Sequence, residues 1–338
     1  MNENLGRIYL TRDLPGTGGL LKERPEDFFV EEIPLYPCIG AGDFAFLRVE
    51  TVNLSTLDLV ARLRRHLDLA DHEVGLAGWK DKRAVTRQWV SVPRAHVTEG
   101  AFRELSAEGV SILEERLHPH KLRTGHLLGN RFSILIREPK PQAVGLARAI
   151  LDQLEASGLP NFYGIQRFGT SGDNPEEGLA ILRGKKRLQS PRKAKLLVSS
   201  STSLLFNLTL RERLERGLFS RLLRGDIAKK HDTGGLFHVV DPAQEQARAD
   251  RLEISPTGPI WGKKMMEARD EAAVLEREIL EHQGLAPDIF RKQPGSRRAL
   301  RISLKQITLR EELDGLRLEF FLPKGSYATV LLDEIMKS

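Results

Sequence analysis

Strand-like sequence lies at both ends of this chain and helix-rich sequence fills its middle. That arrangement limits the fold most: strands near the two termini sharing one sheet would make one domain that another interrupts. At 338 residues the chain is also longer than a single hydrophobic core usually serves, so two domains are expected. At the N-terminal end Leu20-Leu21, Phe28-Phe29-Val30 and Phe44 to Val49 read as strands between Pro- and Gly-containing turns. Ser55 and Asp58 cap a helix whose apolar face is Leu59, Val60, Leu63 and Leu67. Val74 to Ala77, Trp89 to Val92 and Phe132 to Ile136 are further strands, and Val144, Ala147, Leu151 and Leu154 mark a helix that stops at Gly158-Leu159-Pro160. Leu204 to Arg216 and Glu267 to Gln283 are helical, with a second boundary near Pro294-Gly295-Ser296 or just beyond. Ile307 to Leu309 and Leu316 to Phe320 flank Asp314-Gly315, a hairpin signal. Lys324-Gly325-Ser326 then opens a final short helix.

Several chemistries lack their sequence requirements. No run approaches 18 apolar residues, and the opening MNENLGRIYLTRDLPG has no apolar core of signal-peptide length, so a cytoplasmic protein without membrane contact is expected. Cys38 is the single cysteine, which rules out an internal disulfide and a Cys-based metal site. There is no GxxxxGK[ST] phosphate loop, no GxGxxG at a strand–helix junction, no HExxH and no GxSxG.

What remains is charge. Lys and Arg total 52 against 46 Asp and Glu, a net +6, and the basic residues cluster. One cluster holds Arg116, His118, His120, Lys121 and Arg123, with His126 and Arg131 close behind; another holds Arg183, Lys185, Lys186, Arg187, Arg192, Lys193 and Lys195. Two such clusters in one chain suit a polyanion track, although each alone suits a solvated face. Gly78-Trp79-Lys80-Asp81-Lys82-Arg83 places one carboxylate among three cations at the end of an apolar strand. On spacing alone it is either a solvated charged turn or an active-site carboxylate. Asn161 to Gly169 packs three aromatics, an Arg and two glycines into nine residues, which suits either base stacking or a bent core strand.

Taken together, seven segments resemble the TruD family, the tRNA pseudouridine-13 synthases, in family order. They are KERPEDFFVEE from Lys22, GWKDKRAVTRQW from Gly78, GNRFSI from Gly129, NFYGIQRFG from Asn161, SPTGPIWG from Ser255, GSRRALR from Gly295 and LPKGSYAT from Leu322. Two departures stand out: the family's Tyr-Phe order is Phe162-Tyr163 here, and a C-terminal aromatic that is often Phe is Tyr327.

The resemblance implies an α+β protein. A pseudouridine-synthase catalytic domain, with a mixed, mostly antiparallel sheet and flanking helices, would span 1–157 plus 305–338. An α/β domain specific to the family would be inserted at 158–304. The implied reaction isomerises uridine 13 of tRNA to pseudouridine without metal or cofactor, on a base flipped out of its stack. Asp81 would be the catalytic carboxylate, as nucleophile at C1′ or as base at C2′. Phe28, Asn130 and Tyr327 would line the base pocket, Lys22, Arg24 and Arg167 would contact phosphate or hold Asp81, and Gln166 would join them in binding the substrate. The implied partner is tRNA, bound by a monomer with no protein partner. The competing reading is a non-catalytic RNA-binding protein or RNA chaperone on the same scaffold. A methyltransferase would need a Gly-rich cofactor loop, which is absent.

Overall fold

The computed structural model describes residues 8–337 apart from 98, 99, 101, 103, 104, 107, 170 and 305. The first seven residues, read above for a leader, and position 305, read above as a domain edge, lie outside the described residues. Along the chain the elements run β1 (Phe28–Pro34), β2 (Phe44–Val52), α1 (Thr56–Leu67), β3 (Gly75–Leu76), β4 (Val85–Pro93), β5 (Val110–His118), β6 (Leu127–Arg137), α2 (Ala143–Ser157), β7 (Leu159–Pro160), α3 (Asn174–Leu182), α4 (Pro191–Glu215), β8 (Ile227–Lys230), β9 (Leu236–His238), α5 (Pro242–Asp250), β10 (Ile254–Ile260), α6 (Asp270–His282), β11 (Ser296–Ala299), β12 (Arg301–Ile302), β13 (Thr308–Glu312), β14 (Gly315–Pro323) and α7 (Ala328–Met336). They fall into two compact units. One is Gly16–Arg148 with Lys305–Gly325; the other is Ala149–Leu304 with Ser326–Lys337 and the described part of Met1–Pro15.

The first unit is built on an eight-stranded sheet in the order β13-β14-β6-β1-β4-β2-β5, with β3 also on β4. Among its described pairings β1–β4 is parallel and the rest are antiparallel. The C-terminal hairpin thus completes a sheet begun near the N-terminus, as strands at both chain ends require. Alternation fixes its faces: β14 is buried at every second residue, which pins the register because a one-residue slip would turn its apolar set to water. α1 starts where Ser55 Oγ accepts the Asp58 N–H at 3.2 Å. Leu59, Leu63 and Leu67 are buried against Ala45, Leu47 and Val49 of β2 and Val90 and Val92 of β4, while Val60 is only partly buried at their edge. Burying each of these leucines contributes roughly 1.5–3 kcal/mol.

In the second unit α4 runs 25 residues; its N-terminal end is mostly exposed and its middle, Leu197 to Leu210, is largely buried. A four-stranded sheet, β11-β10-β8-β9, packs with it. SPTGPIWG forms most of β10, which its two prolines conceal. β10 pairs with β8 over Ile254 to Pro256 and with β11 over Thr257 to Ile260, and Pro256, which has no N–H to donate, still accepts the Leu300 N–H at 2.9 Å.

Three segments differ from the sequence reading. Leu20 makes only an isolated bridge to Arg137 rather than opening a strand. The hairpin loop is Leu313-Asp314, since Glu312 already faces Gly315. The helix read from Leu204 starts instead at Pro191, where the missing N–H is no loss; Ser190 Oγ caps it by accepting from Lys193 N at 3.3 Å.

Candidate active site

Asp81 lies on the turn between β3 and β4. Both ends of that turn are anchored by buried alanines, Ala77 and Ala84. Between them Lys80 points inward. Its backbone N–H donates to Thr56 Oγ1 at 2.8 Å, and its ammonium donates to Glu32 Oε2 at 2.6 Å, with side chains only 5% and 1% exposed. Glu32 Oε1 also accepts the Trp89 N–H at 3.3 Å. With Lys80 fixed inside, the next residue is turned outward, and the Asp81 side chain is 44% exposed. The flanking Trp79, Lys82 and Arg83 are exposed as well.

Asp81 Oδ2 accepts from Lys22 Nζ at 2.8 Å. That ammonium also sits 4.1 Å from the centroid of the Phe28 ring, a cation–π contact. An ion pair this exposed contributes at most about 1 kcal/mol to stability, so its consequence is placement of the carboxylate. Lys22 has a left-handed backbone, φ 58°, and the turn after it is tied down. Asp27 Oδ2 accepts the Arg24 N–H at 2.8 Å, and Arg137 grips the same carboxylate at 2.7 and 2.9 Å. The Arg24 side chain is exposed.

The Arg137 hydrogen bond holds the Asp27 carboxyl below its ordinary value of 3.8, against an opposing pull from burial. A lowered folded-state value means stability that is complete above 3.8 and is lost as pH falls through the folded value. Asp27→Asn is therefore expected to reduce stability by a constant amount at neutral pH. The gap to the parent chain should narrow below about pH 4, as denaturant melts across pH would read; a gap that stays constant into strong acid would contradict this assignment.

Phe28 is 3% exposed. Its ring meets Phe132 edge-on at 6.3 Å, and Phe132 stacks on Phe320 at 5.1 Å. Asn130 stands on β6 directly opposite Glu32 of β1 and Leu322 of β14. Opposed residues on an antiparallel pair project from the same face, so the Asn130 amide is on the side of Glu32 and Lys80. Gly129 allows the close approach there: a Cβ would lie 2.1 Å from Leu322 O. Asn130 Oδ1 is buried without a hydrogen-bond partner among the described residues, as is Gln88 Oε1 on β4. An orphaned buried acceptor costs about 1–3 kcal/mol, and a donor on a ligand would relieve it.

Tyr327, Gln166 and Arg167 belong to the other compact unit. Gly164 lets the chain pass close to Tyr327 and Thr329, since a Cβ would lie 2.9 and 3.0 Å from their side chains. Gln166 is exposed. Arg167 donates from Nε to Ser203 Oγ at 3.1 Å and from Nη2 to Ser199 Oγ. Arg298 lies 4.1 Å from the Tyr163 ring centroid and donates to Asn161 O and Oδ1 at 3.0 and 2.6 Å. Arg167 approaches the same ring at 5.6 Å, and Tyr327 packs edge-on at 6.0 Å. Neither guanidinium has a carboxylate ion-pair partner among the described residues. Burial pushes Arg298 down, with Arg167 adding to the shift. Burial also pushes the Tyr327 phenol up, so it remains a protonated donor at neutral pH.

No group of three or more His, Cys, Asp or Glu among the described residues is placed to hold a metal ion, and no described helix is long and apolar enough to cross a membrane. The chain matches the family model for tRNA pseudouridine synthase D (TruD) over residues 4–188 and 186–335. It belongs to the TruD family. It is similar to the tRNA pseudouridine synthase D of Thermus thermophilus, 47% identical over 329 residues, which cover 97% of this chain and 92% of that one. The enzyme of the same name from Anaeromyxobacter dehalogenans is 43% identical over 339 residues, covering 97% and 96%. A crystal structure from Methanosarcina mazei described as a TruD matches with a TM-score of 0.78 over 99% of this chain and 97% of that one, at 22% identity, and shows the shared α+β fold.

Within this TruD chain the motifs turn out to divide their work. In GSRRALR, Arg297 is buried on Glu276 at 2.5 and 3.0 Å, and Arg301 is buried on Ser255 Oγ at 3.1 Å and Ala249 O at 2.5 Å, which pushes it down to about 10. Arg298 alone of the three reaches the tyrosine cluster. Lys80, grouped in sequence with Lys82 and Arg83 as a cation around Asp81, instead points inward to Glu32, and no separate role is legible in sequence for Arg298, Glu32 or Gln88. In the sequence, the two-residue phase that Glu32 shares with Phe28 and Val30 along β1 is the signal for its inward-facing side chain.

Proposed function

We propose that this chain isomerises uridine 13 of tRNA to pseudouridine, with Asp81 as the catalytic carboxylate. The observation that carries this reading is the placement of Asp81: an accessible carboxylate on a turn locked from behind by Lys80 and Glu32, with one oxygen held by Lys22 at 2.8 Å. The curated relatives are named for pseudouridine synthesis in tRNA.

In the reaction the N1–C1′ bond breaks, the base turns, and a C5–C1′ bond forms; the C5 proton is lost and N1 is protonated, so nothing is oxidised or reduced. Asp81 either attacks C1′ or removes the C2′ proton to give a glycal. Both routes use a carboxylate at the ribose, which Lys22 orients. The target base is flipped into the pocket. There Asn130 Oδ1 supplies the acceptor that uracil N3–H needs. Phe28 forms the floor beneath Lys22, and base stacking on its ring requires that ammonium to shift. Arg24, Gln166 and Arg167 contact phosphates, and Arg298 joins Arg167 beside Tyr327 and Tyr163, a basic and aromatic set of the kind that holds nucleotides. The catalytic domain is 1–157 plus 305–338 and the inserted domain 158–304.

A tRNA transcript incubated with the protein and mapped by carbodiimide modification and primer extension should stop reverse transcription at position 13. A stop elsewhere would remove the positional claim, and no stop would remove the activity.

A further inference from the structure

A second basic site lies on the unit that carries Asp81. The loop after β5 and the residues after β1 enclose a hollow of about 420 Å³ lined by Tyr36, His118, His120, Lys121, Arg123 and His126. The lining holds three imidazoles, an ammonium, a guanidinium and a phenol, and no carboxylate. An adjoining hollow of about 510 Å³ shares Tyr36 and His126 and contains Glu32 and Glu114. Both carboxylates are already matched, Glu32 by Lys80 at 2.6 Å and Glu114 by Arg116 at 2.8 Å. The carboxylate that acts on Lys121 is Glu73, which accepts from Ala70 N at 2.7 Å. No carboxylate ion-pairs with Arg123 among the described residues, and Arg123 is exposed.

The wall is organised rather than loose. Phe46, His118 and Tyr36 form a column, with ring centroids 4.8 Å apart and then 5.2 Å apart at an interplanar angle of 24°. The Tyr36 hydroxyl is 2.7 Å from His126 Nδ1. His118 Nδ1 lies 3.0 Å from His120 O and 3.1 Å from His120 N, so the ring is tied to the backbone of the loop. Lys121 donates to His72 O, leaving two of its three N–H bonds for another acceptor. Cations gathered without an anion repel one another, and a bound anion relieves this.

The hollow is also tied to the catalytic turn. Gly125 N donates to Ala77 O at 2.8 Å, and Ala77 is four residues before Asp81, at most about 14 Å of extended chain. A few nucleotides of RNA span that distance.

We propose that this hollow binds a phosphodiester of the RNA, a few nucleotides from the target uridine, through Lys121, Arg123 and the imidazoles of His120 and His126. The proposal rests on the tRNA reading above. A phosphate here fixes the course of the strand past Asp81 without touching the reacting ribose.

The test is affinity of a tRNA transcript for Arg123→Glu and Lys121→Gln across a range of KCl concentrations, with single-turnover rate at saturating enzyme measured alongside. Each variant should bind on the order of tenfold more weakly, and its log–log salt slope should fall by roughly 0.7–0.9 for the phosphate lost. Single-turnover rate should stay within about threefold of the parent chain, because the contact lies outside the reacting centre. A parent-like affinity and slope in both variants would overturn the proposal while leaving catalysis intact; a parent chain that neither binds nor modifies tRNA would instead overturn the functional reading. Arg123→Gln, a milder surface change, separates a lost contact from misfolding. Inorganic phosphate serves as the second probe, read by the imidazole C–H signals of His120 and His126. Shifts with phosphate alone, and no change of tRNA slope in the variants, would assign the hollow to a free anion and overturn the RNA assignment.

Discussion

Asp81→Asn is expected to lose at least about 10⁴-fold in turnover while binding tRNA within about threefold of the parent chain. Asparagine keeps the side-chain shape and still accepts from Lys22 through its carbonyl oxygen, but it neither attacks C1′ nor removes a proton from C2′. The turn itself should not move, because it is held by Lys80 and the two buried alanines rather than by Asp81. Loss should therefore fall on the chemical step, in single-turnover experiments at saturating enzyme, with fluorescence anisotropy reporting binding. Turnover within tenfold of the parent would remove Asp81 from the chemistry.

Glu32→Gln carries the other large effect. Glu32 and Lys80 are both nearly dry, so removing one charge strands the other in the interior, which typically costs about 3–5 kcal/mol. That is a large part of the stability of an ordinary domain. The turn should also loosen, and a displacement of about 1 Å at a reacting group can cost about 10²-fold in rate. The double change Glu32→Leu with Lys80→Met separates the two consequences. Apolar replacement of a buried pair is often neutral for stability, so the melt should recover while turnover stays low. Full recovery of both would mean the pair stabilises the fold without positioning Asp81, and a single variant that melts like the parent would show the pair to be dispensable.

The elements that could be read from the sequence were those whose signals are local. Ser55 and the leucines of α1 carry the cap and the 3.6-residue period within one turn of each other, and the Asp314-Gly315 signal located the last hairpin to within a residue. β10 escaped notice because Pro256 and Pro259 contradict a strand until its pairing with β8 and β11 is known. The sheet order was hidden for a different reason: β1 lies between β4 and β6, and β6 is about a hundred residues distant, as Phe28 opposite Ile134 shows. Such pairings leave no local trace.

The candidate site shows the same division. Asp81 was visible as a lone carboxylate among cations, and the family resemblance gave it meaning. Its support was not visible, because Glu32 is 48 positions from Lys80 and reads as one more charge in KERPEDFFVEE. Phe28 was picked as a platform for the base, yet its burial and the ammonium over its ring make it a support for Lys22 first. The three arginines of GSRRALR look equivalent in sequence and differ only in what surrounds each one.

The most direct measurement is release of tritium from tRNA transcript carrying [5-³H]uridine, under single-turnover conditions with saturating enzyme, since forming the C5–C1′ bond expels the label from C5. One uridine equivalent per tRNA should be released by the parent chain, none by Asp81→Asn on the same time scale, and none from a transcript in which uridine 13 is replaced by cytidine. Release by Asp81→Asn at a rate near that of the parent chain would contradict the catalytic role of Asp81.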